Sequence, residues 1–290
     1  MSNKWWITLY VLPGLLLVIG IVYLPIVLTA YYGFMDWNGV GNNMTFIAFD
    51  NYAALIKDEK FWNSVVHSLI FAVMSASCLL LYLGVAMLLS SRIRGANLFR
   101  KVYLIPMLLS SVAIAQLWLR IYHPTSGVLN QLLESLGFVN TPSWLADPSI
   151  VLWAIFIPIL WQYAGFYILI YYAAFTNIPA ALVEAARIDG ANGWQIAMRI
   201  KLPLITEVLK VTVVLAVVGS LKYFDLIYIM TEGGPNSASE VMASYMYNKA
   251  FKGFDFGYGS AIAFSLLVIC LIATWVIRKL TATDDKTQYS

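Results

Sequence analysis

Two ionisable side chains, Lys222 and Asp225, lie in the interior of the apolar stretch Glu207–Met230, whose other charged residues, Glu207 and Lys210, are at its start. A charge in such a stretch is costly and indicates a functional role. Residues three apart on a continuous helix share one face, so we expect the two side chains to be neighbours. They would either neutralise each other beside a water-filled cavity or exchange hydrogen bonds with the hydroxyl groups of a polar solute.

Aromatic and amide side chains lie close to this pair in sequence or in a second apolar stretch. Trp161, Gln162 and Tyr163 are consecutive, and Tyr223 and Tyr228 belong to the same segment as the charged pair. Aromatic rings have flat apolar faces, and tyrosines also carry a hydroxyl, so these residues are candidates to line a solute pathway. Packing between helices is the alternative role, and the sequence leaves both open.

Other chemistry is not supported by the sequence. His67 and His123 are far apart and neither has a second ligand at metal-binding spacing. Cys78 and Cys270 lie in apolar stretches, where a packing role is expected. The chain also has no G-x-x-x-x-G-K-[ST] phosphate loop, so it cannot hydrolyse ATP by itself. No metal, cofactor or catalytic residue is predicted, and any energy source must be a partner.

The composition indicates that helices crossing a membrane position these residues. Of 290 residues, 61% are hydrophobic and 11% are charged, whereas about 25% charge is usual in soluble domains. The sequence therefore predicts an all-α polytopic membrane protein. Pro106, Pro158 and Gly219 would kink three of its spans, either opening a cavity or fitting a rigid bundle. The six predicted spans are about 7–34, 62–89, 101–122, 150–175, 207–230 and 258–277.

The distribution of basic residues predicts the orientation. With a cytoplasmic N-terminus, the inner segments contain 11 basic residues and the outer segments five. The inner ones are Lys4, Arg92, Arg94, Arg100, Lys101, Arg187, Arg199, Lys201, Arg278, Lys279 and Lys286. The outer ones are Lys57, Lys60, Arg120, Lys249 and Lys252. Because basic residues concentrate on the cytoplasmic side, both termini and the segment 178–203 are expected to be cytoplasmic.

That cytoplasmic segment, 178–203, has the signals of a helical hairpin between the fourth and fifth spans. Pro179 suits the first turn of a helix, which we expect to run to Ile188. Gly190 suits a left-handed residue at its end. Asn192 and Gln195 have the spacing of a capping box that would begin a second helix.

The second helix of the hairpin is expected to cover 193–201 and to stop at Pro203. On the first helix, small side chains would let another protein approach closely, and Glu184 and Arg187 could make charge-assisted contacts with it. The small residues are Ala181, Ala185 and Ala186. A connector lying on lipid headgroups is the alternative that physical reasoning leaves open.

The hairpin resembles a signature of the membrane subunits of binding-protein-dependent ABC importers, EAA-x3-G-x9-I-x-LP. All seven specified positions are present, at Glu184, Ala185, Ala186, Gly190, Ile200, Leu202 and Pro203. In that family the loop is the coupling helix, which docks into a cleft of a cytoplasmic ATPase. The resemblance therefore implies that the ATPase-docking positions here are Glu184, Ala185, Ala186, Arg187, Asp189 and Gly190.

A second resemblance concerns Phe224–Pro235, which is similar to the FD-x-IY-x-x-T-x-GGP stretch of carbohydrate-importing permeases. Phe49-Asp50-Asn51-Tyr52 and Phe61-Trp62 are similar to the N-proximal outer loop of the same group, which includes the larger maltose-transporter permease. The first outer loop here is only about 27 residues long. The chain is therefore expected to be a minimal six-span form without a large insertion.

These resemblances together imply an assembly and a mechanism. The chain is expected to pair with a second permease in a bacterial plasma membrane, to sit on two ATPase subunits that use ATP and Mg²⁺, and to receive a di- or oligosaccharide from an extracytoplasmic binding protein. Alternating access would move the sugar. Nucleic acid is not an expected partner.

Three alternatives to this importer deserve comparison. The same architecture could import a glycerol-phosphate ester, which would favour net positive charge in the cavity, whereas Asp225 offsets Lys222. A polytopic membrane enzyme would need a cluster of carboxylates or histidines at one membrane face. A passive channel would have no use for a hairpin that docks an ATPase.

Overall fold

The computed structural model describes residues 4–41, 43–90 and 96–281. Within these ranges the chain is predominantly helical, and its one sheet pairs the antiparallel strands β1 (Met35–Asp36) and β2 (Thr45–Phe46). The helices are α1 (Lys4–Val18), α2 (Leu24–Tyr32), α3 (Asp50–Lys57), α4 (Glu59–Ser90), α5 (Ala96–Leu108), α6 (Ser111–Ile121), α7 (Val128–Ser135), α8 (Val151–Thr176), α9 (Ala180–Ile188), α10 (Gly193–Ile196), α11 (Leu202–Leu204), α12 (Thr206–Leu221), α13 (Asp225–Thr231), α14 (Met242–Tyr247) and α15 (Phe256–Thr281). Short π-helical turns occupy Ile19–Tyr23, Ala197–Lys201 and Asn248–Lys252.

Among the described residues, five helical segments are long and apolar enough to cross a membrane, and a bent pair provides a sixth candidate span. The five are Thr8–Tyr32, Glu59–Ser90, Val151–Thr176, Thr206–Thr231 and Phe256–Thr281, and the bent pair is Lys101–Leu108 with Ser111–Ile121. The predicted all-α polytopic fold is confirmed. Arg92, Arg94 and Lys286, which contributed to the predicted orientation, lie outside the described residues, as do the side chains of Lys4 and Arg100.

The chain divides into two compact units, the first made of residues 1–64 and 242–269. Asn51, part of the second resemblance, fixes the loop after α2 within this unit. Its amide donates hydrogen bonds to the carbonyl oxygens of Gly33, at 3.0 Å, and Met35, at 2.9 Å. The neighbouring Phe34 ring lies edge-on to Phe49 at 5.2 Å between centroids. The residues Phe49-Asp50-Asn51-Tyr52 thus have a structural role, which is to hold the loop after α2 in place.

The second unit, residues 65–241 and 270–290, is built around α8. This helix is apolar on all sides, as expected for a helix surrounded by others, and it packs against α5, α6, α12 and α13. Buried residues of α8 and of the elements around it form two clusters. One includes Phe71, Ile114, Ile155, Leu226 and Ile227, and the other includes Leu79, Tyr171, Ile205 and Ala216.

Gly165 lets α5 approach α8 closely. A Cβ atom at this position would lie 2.6 Å from the carbonyl oxygen of Tyr103 and 3.2 Å from the Cα of Leu104. Small residues commonly allow helices to meet in membranes, where packing contacts drive association. The glycine therefore serves packing and is not a hinge, since α8 continues without interruption through both Gly165 and Pro158.

The third predicted span, 101–122, is broken. Helices α5 and α6 meet at an angle of 105°, and the break lies after Pro106, which is itself inside α5. Ser110 begins the new helix, because its hydroxyl accepts a hydrogen bond from the backbone N–H of Ala113 at 3.2 Å. Serine is a preferred residue at this capping position, because its hydroxyl accepts a hydrogen bond from a backbone N–H group that has no partner within the helix.

The fifth predicted span, 207–230, is also interrupted. Helix α12 ends at Leu221 with Lys222 as its C-terminal cap, and α13 begins at Asp225. Between them, Phe224 has a non-helical backbone with φ −136° and ψ −54°. The expectation that Lys222 and Asp225 share one face of a continuous helix is therefore wrong. Asp225 fits the start of α13, where a negative charge interacts favourably with exposed backbone N–H groups.

Candidate functional site: a capped hairpin and two broken spans

The hairpin begins with α9, a nine-residue helix with no buried residue. Pro179 is the N-terminal cap of this helix, one position earlier than the sequence suggested. Glu184, Ala185 and Arg187 are exposed, and Ala186 is half-buried. A helix of this length is marginal in water without tertiary packing, so its ends must be stabilised by capping.

The C-terminal end of α9 is closed by a Schellman motif. Gly190 has the left-handed φ of +82° that the sequence predicted. The N–H of Ala191 donates to the carbonyl oxygen of Ala186 at 2.9 Å, and the N–H of Gly190 donates to the carbonyl oxygen of Arg187 at 3.1 Å. A Cβ atom at Gly190 would meet nothing within 4 Å, so the glycine is required by backbone conformation and not by space.

The start of α10 carries the predicted capping box in full. The side chain of Asn192 accepts from the N–H of Gln195 at 2.9 Å, and the Gln195 side chain accepts from the N–H of Asn192 at 2.8 Å. Helical structure then continues through a π-helical turn into α11, which contains Pro203. The predicted stop at Pro203 is wrong, because proline in the first turn of a helix loses no hydrogen bond.

Two buried residues fix the second half of the hairpin, whereas other apolar side chains in both halves are exposed. Ile196 and Ala197 are buried, whereas Ile188 is 86% exposed and Trp194 is 70% exposed. Leu182 is exposed as well. Exposed apolar side chains next to charged ones are typical of a surface that binds another protein or a membrane.

The two broken spans meet at Asp225. The hydroxyl of Ser111, the first residue of α6, donates to Oδ2 of Asp225, the first residue of α13, at 3.3 Å. Helices α6 and α13 pack against each other along their length. Interrupted helices within membrane-spanning segments commonly mark binding sites, because their free ends can interact with solutes. We call Ser111, Lys222, Tyr223 and Asp225 the break site.

Two of the three candidates on α8 lie beside the break site. The hydroxyl of Tyr223 donates to Oε1 of Gln162 at 3.3 Å. The rings of Tyr163 and Tyr223 meet edge-on with centroids 6.0 Å apart. Gln162 is buried, whereas Tyr163 is 40% exposed. The structure thus combines one carboxylate from α13, one amide and one phenol from α8, and a second phenol from the residues between α12 and α13.

The other two aromatic candidates are in packing contacts. Trp161 lies edge-on to Trp118, with centroids 6.1 Å apart, at the border of a buried cluster. Tyr228 stacks on Phe224 at 5.0 Å between centroids. Neither residue lines the cavity beside the break site.

A cavity of about 180 Å³ opens beside the break site between α4, α8 and α12. Tyr163 and Tyr223 line it, together with Ser75, Gly219 and Ser220. The two serines, which sequence reasoning missed, join α4 to α12 by a hydrogen bond of 2.7 Å between their hydroxyls. Small polar residues in two apolar stretches were the only available signal, and nothing in the sequence indicates that they pair.

The Gly-Gly-Pro part of the second motif forms a tight loop after α13. Glu232 and Gly233 both have positive φ, 52° and 90°. A Cβ atom at Gly233 would lie 2.8 Å from the carboxyl carbon of Glu240, which is buried. Ser239 closes the loop by donating its hydroxyl to the carbonyl of Gly234 at 2.6 Å. The glycine therefore allows the buried carboxylate to pack against the loop.

Another polar cluster, also missed from sequence, lies in the first unit. Oδ1 of Asp58 accepts from the N–H of Lys60 at 2.9 Å, and so caps the start of α4. Oδ2 accepts hydrogen bonds from the hydroxyls of Tyr245 and Tyr258. Asp58 is 187 residues from Tyr245 and 200 residues from Tyr258 in sequence, so only the fold brings the carboxylate to the two hydroxyls.

The Asp58 cluster changes the acid–base properties of its members. Burial by itself raises the pKa of the Asp58 carboxyl, but hydrogen bonds from Tyr245 and Tyr258, and from the backbone of Phe61 and Lys60, outweigh it and lower the pKa. Burial, followed by the hydrogen bond to Asp58, raises the pKa of Tyr245. The carboxylate is therefore ionised and the Tyr245 phenol neutral near pH 7.

Comparison with known proteins places the chain among transport proteins. The family described as "Binding-protein-dependent transport system inner membrane component" matches residues 52–282. A probable ABC transporter permease of Pyrococcus horikoshii is 38% identical over 269 residues, covering 92% of each chain. A probable starch degradation products transport system permease of Thermoanaerobacterium thermosulfurigenes is 30% identical, covering 97% of this chain and 95% of the relative.

A solved structure shares the fold along nearly the whole length. It is a chain of a bacterial alginate ABC transporter in complex with an alginate pentasaccharide-bound periplasmic protein, with a TM-score of 0.84 and 22% identity over 97% of each chain. The sequence relatives are membrane permeases of ABC transporters, so this chain is a multi-pass transport subunit and not an ATPase. The chain belongs to the family of binding-protein-dependent transport system inner membrane components.

Proposed function

We propose that this chain is the permease subunit of an ATP-driven importer and moves a di- or oligosaccharide across the membrane by alternating access. The single observation that carries the proposal is the hairpin, an exposed nine-residue helix closed at its C-terminal end by its own cap. The relative named for starch degradation products supports a sugar as the solute.

The hairpin and the family support a specific set of partners. The hairpin docks into one of two cytoplasmic ATPase subunits, which bind ATP and Mg²⁺; this chain binds neither. A second permease completes the membrane part, and an extracytoplasmic binding protein delivers the sugar. Glu184 pairs with a basic residue of the ATPase, and Arg187 and Asp189 add charges on the same exposed surface.

The transport cycle depends on a stiff connection to the ATPase. When ATP closes the ATPase subunits, the two hairpins move with them, and the permeases change from inward-facing to outward-facing. Such a change needs elements that move as rigid bodies and joints that bend. The capped hairpin is the rigid element, and the breaks in the third and fifth spans are the joints. Hydrolysis then resets the inward-facing state.

The break site contributes one side of the sugar pathway. The Asp225 carboxylate accepts hydrogen bonds from sugar hydroxyls, and the exposed ring of Tyr163 stacks against the sugar ring. The cavity of about 180 Å³ is smaller than the roughly 300–1,000 Å³ of typical ligand pockets. We therefore infer that the second permease provides the opposite wall.

Transport by the complete complex in proteoliposomes tests the proposal. Glu184→Lys is expected to abolish uptake of labelled starch-derived oligosaccharides and to uncouple ATP hydrolysis from binding-protein addition, with membrane insertion unchanged. The control is Glu134→Lys, which makes the same charge change at an exposed residue of α7. Normal transport by Glu184→Lys would refute the docking role. If a glycerol-phosphate ester competes for uptake and oligosaccharides do not, the proposal that the solute is a sugar is refuted.

A further inference from the structure

A second cavity, of about 450 Å³, lies between the first turns of α12 and the last turn of α15. Its polar end is lined by Glu207, Lys210 and Arg278. Its other lining residues on α12 are Val211, Val214 and Leu215, which are apolar. Since α12 follows the hairpin directly, this cavity opens at the hairpin end of the membrane bundle.

The charges at the polar end favour an anion. Lys210 pairs with Glu207 at 2.7 Å, and the Lys210 side chain is only 20% exposed while that of Glu207 is 82% exposed. Arg278 adds a second positive charge at the exposed end of α15. One negative and two positive groups leave a net charge of +1, which complements one phosphodiester.

The apolar lining and the surroundings indicate a lipid. On α12, the residues at 207, 210, 211 and 214 share one face, so the charged end continues directly into an apolar surface. Val211 and Leu215 are 56% and 45% exposed. Trp275, six residues before the end of α15, is also exposed, and the Lys279 ammonium lies 5.1 Å from its ring centre. Exposed tryptophan beside basic residues is typical of the headgroup level of a membrane.

We propose that this groove binds one anionic phospholipid, with its phosphate at Lys210 and Arg278 and an acyl chain along Val211, Val214 and Leu215. Basic pockets between membrane helices on the cytoplasmic side bind the headgroups of anionic lipids. The lipid would rest against the helix that leads out of the hairpin, and so would stiffen the connection between α12 and α15. A free phosphate ion would not use the apolar part of the groove.

Native mass spectrometry of the complete complex tests this site, after exchange into nanodiscs that contain equal amounts of phosphatidylglycerol and phosphatidylcholine. The wild type is expected to retain one phosphatidylglycerol, and Arg278→Gln to bind it about fivefold more weakly, the typical contribution of one basic residue near a membrane surface. Lys279→Gln is the matched control, since it removes the same charge at the next residue, which does not line the groove. A second variant, Val214→Asn, adds a polar group without a charge and is expected to weaken phosphatidylglycerol retention through the apolar part alone.

Several outcomes would overturn the proposal. Equal losses in Arg278→Gln and Lys279→Gln would mean diffuse attraction to the membrane and no defined site. Equal retention of phosphatidylcholine, or displacement of the lipid by inorganic phosphate, would exclude a site for an anionic lipid. Asp284 and Asp285 follow α15 in sequence. If phosphatidylglycerol is retained only after both aspartates are changed to asparagine, the groove of the unmodified chain is occupied by its own C-terminal segment and not by a lipid.

Discussion

Replacement of Gly190 by alanine tests the physical basis of the hairpin. The residue has φ +82°, and an added Cβ would meet nothing within 4 Å. The free-energy cost of the alanine is therefore one of backbone conformation, about 1–2 kcal/mol for a non-glycine residue in the left-handed region. Because α9 has no buried residue to compensate, this cost should appear as local opening, raising the open population by a factor of about 5–30.

Hydrogen exchange of the full chain measures this opening directly. The N–H of Ala191, which donates to Ala186 at 2.9 Å, is expected to exchange about 5–30 times faster in Gly190→Ala. Gly193→Ala is the matched control, since a Cβ there also meets nothing, while the residue lies in the ordinary helical region at the start of α10. Gly190→Asn should be intermediate, because asparagine tolerates the left-handed region. Unchanged exchange in Gly190→Ala, or an equal increase in Gly193→Ala, would refute the reasoning.

Three further predictions concern other parts of the chain. Asp58→Asn should lower the thermal midpoint at pH 7, because it weakens two charge-assisted hydrogen bonds, each worth about 1.5–3 kcal/mol. The difference from wild type should shrink below about pH 4, since a carboxyl with a lowered pKa stabilises the fold above its unfolded pKa and loses that effect as pH falls through its folded pKa. Gly165→Ala should destabilise the chain by about 1–3 kcal/mol through overpacking against α5, whereas Gly219→Ala, at an open position, should have little effect on a denaturation curve. Asp225→Asn should raise the KM for sugar uptake about ten- to hundredfold by weakening a charged hydrogen bond, with ATPase docking unchanged.

Each of these three predictions has a result that would contradict it. A thermal difference between Asp58→Asn and wild type that is the same at pH 3 and pH 7 would exclude the ionised carboxylate as its cause. Similar stabilities of Gly165→Ala and Gly219→Ala would mean that the α5–α8 approach tolerates a methyl group. An unchanged KM in Asp225→Asn would remove the break site from the sugar pathway.

The hairpin could be predicted from sequence because its determinants are local. The hydrogen bonds of Gly190, Ala191, Asn192 and Gln195 join residues three to five positions apart. Local rules of backbone conformation and capping therefore suffice to position the turn. The end of the second helix was predicted wrongly. The π-helical turn Ala197–Lys201 leads into α11 and places Pro203 in the first turn of that helix, which the proline alone does not indicate.

The break site could be predicted only in part, because its geometry depends on distant residues. Lys222 and Asp225 stood out as charges in an apolar stretch, but periodicity alone suggested a continuous helix there. The partner of Asp225 is Ser111, 114 residues away, and the partner of Ser220 is Ser75, 145 residues away. Such pairings require knowledge of which helices are adjacent, which hydropathy does not provide.

The reciprocal hydrogen bonds of the hairpin have a consequence for the entropy of association. A surface that is already ordered loses little conformational entropy when a partner binds, so a small contact area can give useful affinity. Asn192 and Gln195 satisfy each other's backbone groups, and the Schellman motif does the same for α9. The hairpin therefore has no folding to complete when the proposed ATPase docks on it.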